Sequence, residues 1–153
     1  MRVWNGLDEV PAGTGPSVVT LGNFDGVHGG HRAVLGVVVD EARQRGLTSI
    51  AVTFYPHPIA VLFPDRAPAE LTSLPRRLEL LAETGVDAVL VLEFTREFAA
   101  QTPAEFVDRV FVGALGAQLV VVGADTRFGV RNSGTVGTLV DLGDSRGFGV
   151  VSV

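Results

Sequence analysis

The stretch Leu21-Gly-Asn-Phe-Asp-Gly-Val-His-Gly-Gly-His31 decides the fold of this chain, because it joins a short β-branched run to a long amphipathic segment. The run Val18 to Leu21 predicts a buried strand. The apolar stripe from about His31 to Arg45 predicts a helix, and Gly46 supplies its left-handed stop. A strand that passes through a glycine-rich turn into a helix is the first half of a parallel β-α-β unit.

The alternation of strand and helix continues to the end of the chain. Further apolar strands are predicted at Ser49–Phe54, Val86–Leu92, Gln118–Val122 and Gly147–Val153. Helices are predicted to begin at Pro75, at the capping box Thr102-Pro-Ala-Glu105 and at Thr135. The segment Tyr55–Pro68 contains four prolines and predicts no regular structure. Near-continuous apolar strands separated by helices indicate a small doubly wound α/β domain with a five-stranded parallel sheet.

The composition excludes several kinds of chemistry. The 153 residues include no Cys, and all twelve basic residues are Arg. Without Lys there is no Walker-type phosphate loop and no Schiff-base enzyme, and without Cys there is no thiolate nucleophile or zinc-thiolate site. The net charge of −5 predicts no nucleic-acid partner. The absence of a secretory signal and of a bilayer-length apolar run predicts a soluble cytoplasmic protein without a membrane partner.

The turn that follows the first predicted strand is the best candidate for a site. In doubly wound sheets, ligands lie beyond the carboxyl ends of the strands, near the switch in strand order. His28 and His31 lie three residues apart at a helix start and therefore project to one side, where both could meet an anionic group. The alternative is a pair of capping or surface histidines. His57 also follows a predicted strand, which favours the site. The spacing fits neither a zinc motif nor a dinucleotide fingerprint.

The sequence around this turn is similar to that of a known family. The segment Gly26-Val-His-Gly-Gly-His31 resembles the His-x-Gly-His signature of nucleotidyltransferases. Thr20-Leu-Gly-Asn-Phe-Asp-Gly-Val-His28 resembles the adenylyltransferase module of bacterial bifunctional riboflavin kinase/FAD synthetases. Further similar segments follow in the family's order: Val52–Pro58, Leu71–Leu74, Gly85–Val91, Phe94–Phe98, Thr102–Val107 and Gly123–Gly129. The resemblance implies a Rossmann-like fold of the nucleotidyltransferase type, with residues 1–153 as a single domain and the riboflavin kinase domain absent.

The resemblance also implies an activity and a set of site residues. The family joins FMN to the AMP part of ATP with Mg²⁺, giving FAD and pyrophosphate, so a small nucleotide and a flavin are the implied partners. His28 and His31 are implied as catalytic donors to the departing pyrophosphate. The implied nucleotide-binding residues are Gly22, Asn23, Phe24, Asp25, Gly26, Gly30, Gly123, Asp125, Arg127 and Phe128, and the implied flavin-binding residues are Phe54, Pro56, His57 and Pro58. Asp25 either helps to hold magnesium or orients His28, or it is a turn residue that bonds its own backbone.

The sequence departs from the family pattern at three places. Tyr55 stands where an acidic residue is usual, and Thr126 stands where Phe is usual. The family's Ser-Ser-Thr-x-x-Arg motif, which contacts the ATP phosphates, would follow Val153. Two other functions therefore stay open: nucleotidyl transfer to another phosphorylated acceptor, and non-catalytic binding of a flavin or nucleotide. No pattern in the sequence specifies an oligomeric state.

Overall fold

The computed structural model describes residues 1–66 and 73–153. The predictions for Tyr55–Pro68 and Leu71–Leu74 extend into residues 67–72, which lie outside the described residues. The described strands form one parallel sheet in the order β1-β4-β3-β2-β5-β6. Their bounds are β1 Arg2–Asn5, β2 Ser17–Leu21, β3 Thr48–Tyr55, β4 Ala88–Glu93, β5 Ala117–Val122 and β6 Gly149–Ser152.

Six α-helices connect these strands within the described residues. They are α1 Gly29–Arg45, α2 Pro58–Leu62, α3 Leu74–Glu83, α4 Arg96–Ala99, α5 Pro103–Phe106 and α6 Val136–Arg146. Helix α5 continues directly into a π-helix at Val107–Ala114. Short 3₁₀ turns lie at Leu7–Glu9, Asp25–Val27, Pro64–Arg66 and Val130–Asn132. None of the described helices is both long enough and apolar enough to cross a bilayer.

The two faces of the sheet carry separate hydrophobic clusters, as a doubly wound fold requires. Alternate residues of a strand point to opposite faces. Ile50 on β3 therefore packs with Phe106 and Leu139 below α5 and α6, whereas its neighbour Ala51 packs with Leu35 of α1 and with α3 on the other face. The predicted doubly wound parallel sheet is confirmed.

The sheet has six strands where the sequence predicts five. The additional strand β1 spans four residues at the edge and pairs with β4, and Trp4 is its only buried residue. Four residues with one buried side chain give no period-2 signal, which explains the missed strand.

The local predictions are largely confirmed at helix ends. Gly46 ends α1 in the left-handed region at φ 66°, and Thr102 with Glu105 forms the predicted capping box. The prediction of no regular structure from Tyr55 to Pro68 is wrong in part. Pro58 occupies the first turn of α2, where its missing N–H costs no hydrogen bond, and His57 caps that turn.

The strand order fixes where a site can form. From β2 the chain moves outward through β3 and β4 on one side, and later returns to place β5 and β6 on the other side. The switch in direction therefore lies between β2 and β5. A crevice opens at such a switch beyond the carboxyl ends of the two strands.

Candidate functional site

A cavity of about 520 Å³ occupies this switch point. One wall is the turn after β2 and the first turns of α1, and the other wall is the loop after β5. Of the predicted site residues, the structure brings seven together around this cavity: Gly22, Phe24, His28, Gly30, His31, Gly123 and Asp125. The fold thus joins two sequence segments that lie about ninety residues apart.

The turn after β2 holds an unusual backbone. Phe24 has φ 53° and Val27 has φ 45°, both in the left-handed region. This region is uncommon for bulky residues and a genuine outlier for a β-branched one, at a cost of about 1–3 kcal/mol each. Both side chains are almost completely buried, 2% and 1% exposed, and pack with Leu35 and Ala51. Core packing therefore holds the turn in its strained shape.

His28 begins helix α1 as its N-cap. Its Nδ1 accepts a hydrogen bond from the Gly30 backbone N–H at 3.1 Å. Because Nδ1 is the acceptor, the neutral imidazole carries its hydrogen on Nε2, which leaves an N–H donor for a ligand. A Cβ at position 30 would lie 3.1 Å from Cε1 of His28, so glycine lets the ring settle against the helix start.

His31 stacks on His28 one helical turn further along. The ring centroids lie 3.7 Å apart with an interplanar angle of 24°, and the ring of Phe24 meets His31 edge-on at 5.2 Å. Burial, and then the neighbouring His28, lower the pKa of His31 from 6.5 to about 4, although the Asp25 charge opposes the shift. His31 is therefore neutral near pH 7 and retains one N–H donor.

The start of α1 adds backbone donors to this wall. The first amide groups of a helix lack partners within the helix and point along its axis, and the dipole of a 17-residue helix favours an anion there. The two imidazoles line the cavity together with Gly30, whose own amide is already bound to His28. The arrangement suits a phosphate-bearing ligand.

The residues predicted in the motif after β5 have three different surroundings. Gly123 and Asp125 line the cavity, together with Ala124 and Thr126. Arg127 is exposed but does not line the cavity. Phe128 points into the core, 5% exposed, with its ring 5.8 Å from that of Phe106.

The predicted flavin segment lies on the opposite side of the β2 end, because β3 and β5 flank β2. Phe54 packs against Phe94 and Phe98 at centroid distances of 6.0 and 5.9 Å. The Nδ1 of His57 accepts a hydrogen bond from the Ile59 N–H at 3.1 Å. Pro56, His57 and Pro58 are half-buried and, like Phe54, lie outside the cavity.

Asn23, Asp25 and Gly26 belong to the turn but do not line the cavity. The Asn23 carbonyl accepts a hydrogen bond from Oγ1 of Thr53 at 3.0 Å, and its own side-chain oxygen is buried without a partner among the described residues. Asp25 lies close enough to His31 for its charge to influence that ring. The described residues contain no group of three or more side chains that could hold a metal by themselves.

Arg77 on α3 is a residue that the sequence interpretation missed. Its side chain is completely buried, and its Nη1 donates to the Phe54 carbonyl at 3.0 Å and to Oγ1 of Thr53 at 3.3 Å. A signal was present, because Leu74, Arg77, Leu78 and Leu81 follow the i, i+3, i+4, i+7 spacing of a buried helix face. A charged residue on such an apolar stripe indicates that its side chain binds a buried polar group.

The chain is thus a doubly wound α/β domain with two stacked histidines at the helix start of its switch point. Residues 11–153 match the model of the FAD synthetase family. The chain belongs to the FAD synthetase family, and the resemblance seen in its motifs is confirmed.

Curated relatives and solved structures agree with this assignment. The chain is 43% identical over 135 residues to the bifunctional riboflavin kinase/FMN adenylyltransferase of Escherichia coli (strain K12), covering 88% of the chain and 43% of that protein. It is 39% identical over 150 residues to the protein of the same name from Pseudomonas fluorescens, covering 98% of the chain and 48% of that protein. The chain thus spans less than half the length of these relatives.

Two solved structures share the fold. A structure named as a macrolide-efflux protein from Streptococcus pneumoniae superposes with a TM-score of 0.83 at 27% identity, covering all of this chain and 50% of that one. A universal stress protein from Archaeoglobus fulgidus superposes with a TM-score of 0.53 at 16% identity, covering 91% of this chain and 93% of that one. The second likeness concerns the fold alone.

Proposed function

We propose that residues 1–153 form one nucleotidyltransferase-like domain that transfers AMP from ATP to FMN, giving FAD and pyrophosphate. The observation that carries the proposal is the stacked pair His28 and His31 at the switch-point cavity. Membership of the FAD synthetase family and the names of the relatives supply the substrate class.

The reaction depends on the alignment of the two substrates more than on covalent catalysis by the protein. A phosphate oxygen of FMN forms a bond to the α-phosphorus of ATP as the bond from that phosphorus to the bridging oxygen breaks, and the electron pair leaves with pyrophosphate. Catalysis then rests on positioning and on donors to the departing charge. The Nε2–H of His28 and the N–H of neutral His31 would supply such donors at the cavity, and the dipole of α1 favours the same negative charge.

The two substrates are assigned to opposite sides of the β2 end. We place the nucleotide in the cavity between His28 and Asp125, because this space adjoins the helix start. We place the flavin at the segment Phe54–Pro58, whose carboxyl-end position beside β2 brings it next to the histidine turn. Arg127, exposed near the cavity loop, remains a proposed phosphate contact.

Magnesium fits the site as a partner of the nucleotide. Mg²⁺ binds through one or two carboxylates together with substrate phosphates and water, so it does not need a cluster of protein ligands. Asp25 does not line the cavity, but its charge reaches His31, so it would supply one hard oxygen donor to the ion at the edge of the site. When bound, the ion would neutralise charge on the triphosphate.

The test is the synthesis of FAD. The purified chain is incubated with FMN, ATP and MgCl₂, and FAD and pyrophosphate are quantified by chromatography and a coupled assay. We expect equimolar products, and we expect the doubly substituted protein His28→Ala/His31→Ala to give neither. Absence of FAD, while the full-length Escherichia coli relative is active in the same buffer, would contradict the proposal.

A second candidate is nucleotidyl transfer to a different phosphorylated acceptor. Tyr55 is 42% exposed beside the proposed flavin segment, and Thr126 lines the cavity, so both departures from the family pattern occupy accessible positions. Pyrophosphate release with another phosphorylated alcohol, but not with FMN, would favour this candidate. Binding of FMN or ATP without any turnover would favour a non-catalytic binder.

A further inference from the structure

Arg77 is a fully buried cation without a carboxylate partner among the described residues. Its exposed fraction is 0%, and its Nε and Nη2 have no hydrogen-bond partner there. Burying a charge without an opposite charge is expensive for folding. Within the described part of the chain, the groups that Arg77 does hold through Nη1 therefore indicate what the side chain does.

The bonds of Arg77 form a chain of three hydrogen bonds. Its Nη1 donates to the Phe54 carbonyl at 3.0 Å and to Oγ1 of Thr53 at 3.3 Å, and the Thr53 hydroxyl donates in turn to the Asn23 carbonyl at 3.0 Å. A hydroxyl has one donor hydrogen and two acceptor lone pairs, so Thr53 can make both of its bonds at once. Helix α3 is thereby connected through β3 to the turn after β2.

The two ends of this chain are the starts of the two proposed substrate segments. Asn23 directly precedes the left-handed Phe24 and the turn that carries His28. Phe54 is the first residue of the proposed flavin segment, which also carries Pro56 and His57. The link uses the backbone carbonyls of Asn23 and Phe54, and neither Thr53 nor Arg77 lines the cavity, so Arg77 acts on both segments from outside it.

We propose that Arg77 is a positioning residue that fixes the nucleotide turn and the flavin segment relative to each other, acting through the Phe54 carbonyl and through Thr53 on Asn23. This inference rests on the proposed adenylyl transfer. A group that sets the distance between two reactants acts on the alignment of the reaction and much less on the binding of either reactant alone.

Kinetics of four variants test the inference. Arg77→Met removes the link, Arg77→Lys keeps a buried cationic donor, and Thr53→Val cuts the Asn23 branch with little change in volume. Arg76→Gln is the matched control, since Arg76 is the exposed neighbour paired with Glu79 at 2.8 Å. Turnover is normalised to the folded fraction, which is measured by the fluorescence of Trp4, the single Trp of the chain, on the edge strand β1.

We expect kcat of Arg77→Met to fall about 10- to 100-fold, with KM for FMN and for ATP within about threefold of wild type. Arg77→Lys should recover part of kcat, Thr53→Val should lower it, and Arg76→Gln should leave it unchanged. Unchanged kcat in Arg77→Met, or a loss that the folded fraction accounts for, would overturn the inference. If Arg77→Met does not fold, the same criteria apply to Thr53→Val and Arg77→Lys.

A second readout does not depend on turnover. The three histidines report on both segments, since His28 and His31 follow β2 and His57 follows β3. Arg77→Lys should shift the NMR Hε1 signals of both groups, and Thr53→Val should shift mainly those of His28 and His31. If wild type makes no FAD, the proposed function fails, and these signals still decide the positioning role: unchanged signals in both variants would overturn it.

Discussion

The imidazole rings of His28 and His31 lie face to face, 3.7 Å apart, above the first turn of α1. Two protonated rings at this distance would repel each other, and burial disfavours the charged form of the inner ring further. The pair therefore offers N–H hydrogen-bond donors to an anion, and not two positive charges. Its role in turnover and its cost to folding can be measured separately.

The first prediction concerns turnover. His31→Ala should lower kcat for FAD synthesis by about 10²–10³, the scale for loss of one donor to developing charge. Initial rates at saturating FMN and ATP measure the effect. A value of kcat within threefold of wild type would remove His31 from the proposed catalytic group.

The second prediction concerns the pH dependence of stability. The pKa of His31 is lowered from 6.5 to about 4 in the folded protein, so between these values the unfolded chain binds more protons. The stabilisation from neutral His31 is complete above about pH 6.5 and is lost progressively as the pH falls toward 4. Urea unfolding from pH 4 to 8 should show a shallower pH dependence in His31→Gln than in wild type. If the free energy of unfolding depended on pH in the same way in both proteins, the lowered pKa of His31 would be contradicted.

The third prediction separates the two tasks of His28. His28→Ala removes both the N-cap bond and the ring donor, and should reduce the free energy of unfolding by about 0.5–2 kcal/mol as well as reduce kcat. His28→Asn restores a capping oxygen without the imidazole. It should therefore keep the stability of wild type and still lose turnover. Full activity in His28→Asn would show that the cap alone is needed.

The fourth prediction concerns the flavin segment. His57→Asn retains a side chain that can cap α2 but removes the ring, so KM for FMN should rise about three- to tenfold, the range expected for one lost hydrogen bond. KM for ATP should stay within twofold, because the proposed nucleotide cavity lies on the other side of β2. An equal rise in both constants would contradict the assignment of substrates to the two sides.

The fifth prediction compares two helical glycines. Gly36 on α1 has open space around a built Cβ, whereas a Cβ on Gly143 of α6 would collide with the Phe148 carbonyl oxygen. Gly36→Ala should raise the free energy of unfolding by about 0.5–1 kcal/mol. Gly143→Ala should lower it by about 1–3 kcal/mol, as expected for overpacking. Chemical denaturation of both variants measures the difference, and equal shifts would contradict the proposed contact at Gly143.

The sequence was sufficient to predict the elements that bury a continuous apolar surface. Strands β2 to β5 read as apolar runs because helices cover both faces of the sheet. Strand β1 was missed because an edge strand with one buried residue leaves no such pattern. Helix α2 was missed because the prolines of Tyr55–Pro68 were interpreted as breakers, although Pro58 fits the first turn of the helix.

The site was predictable in outline but not in detail. The spacing of His28 and His31 indicates that they share a side of the helix, but ring stacking and the lowered pKa depend on the burial that Phe24 and α1 create in three dimensions. The predicted nucleotide motif at Gly123–Gly129 contains both cavity and core residues, and only the backbone conformation separates Asp125 from Phe128.

The left-handed residues Phe24 and Val27 have a consequence for how a substrate is accommodated. Their side chains belong to the hydrophobic core, so a movement of the histidine turn would withdraw them from the cluster around Leu35. In the opposing loop after β5, Ala124 and Asp125 are exposed and are not packed in the core. Adjustment to a ligand is therefore expected on the β5 side, because core packing holds the histidine turn in place.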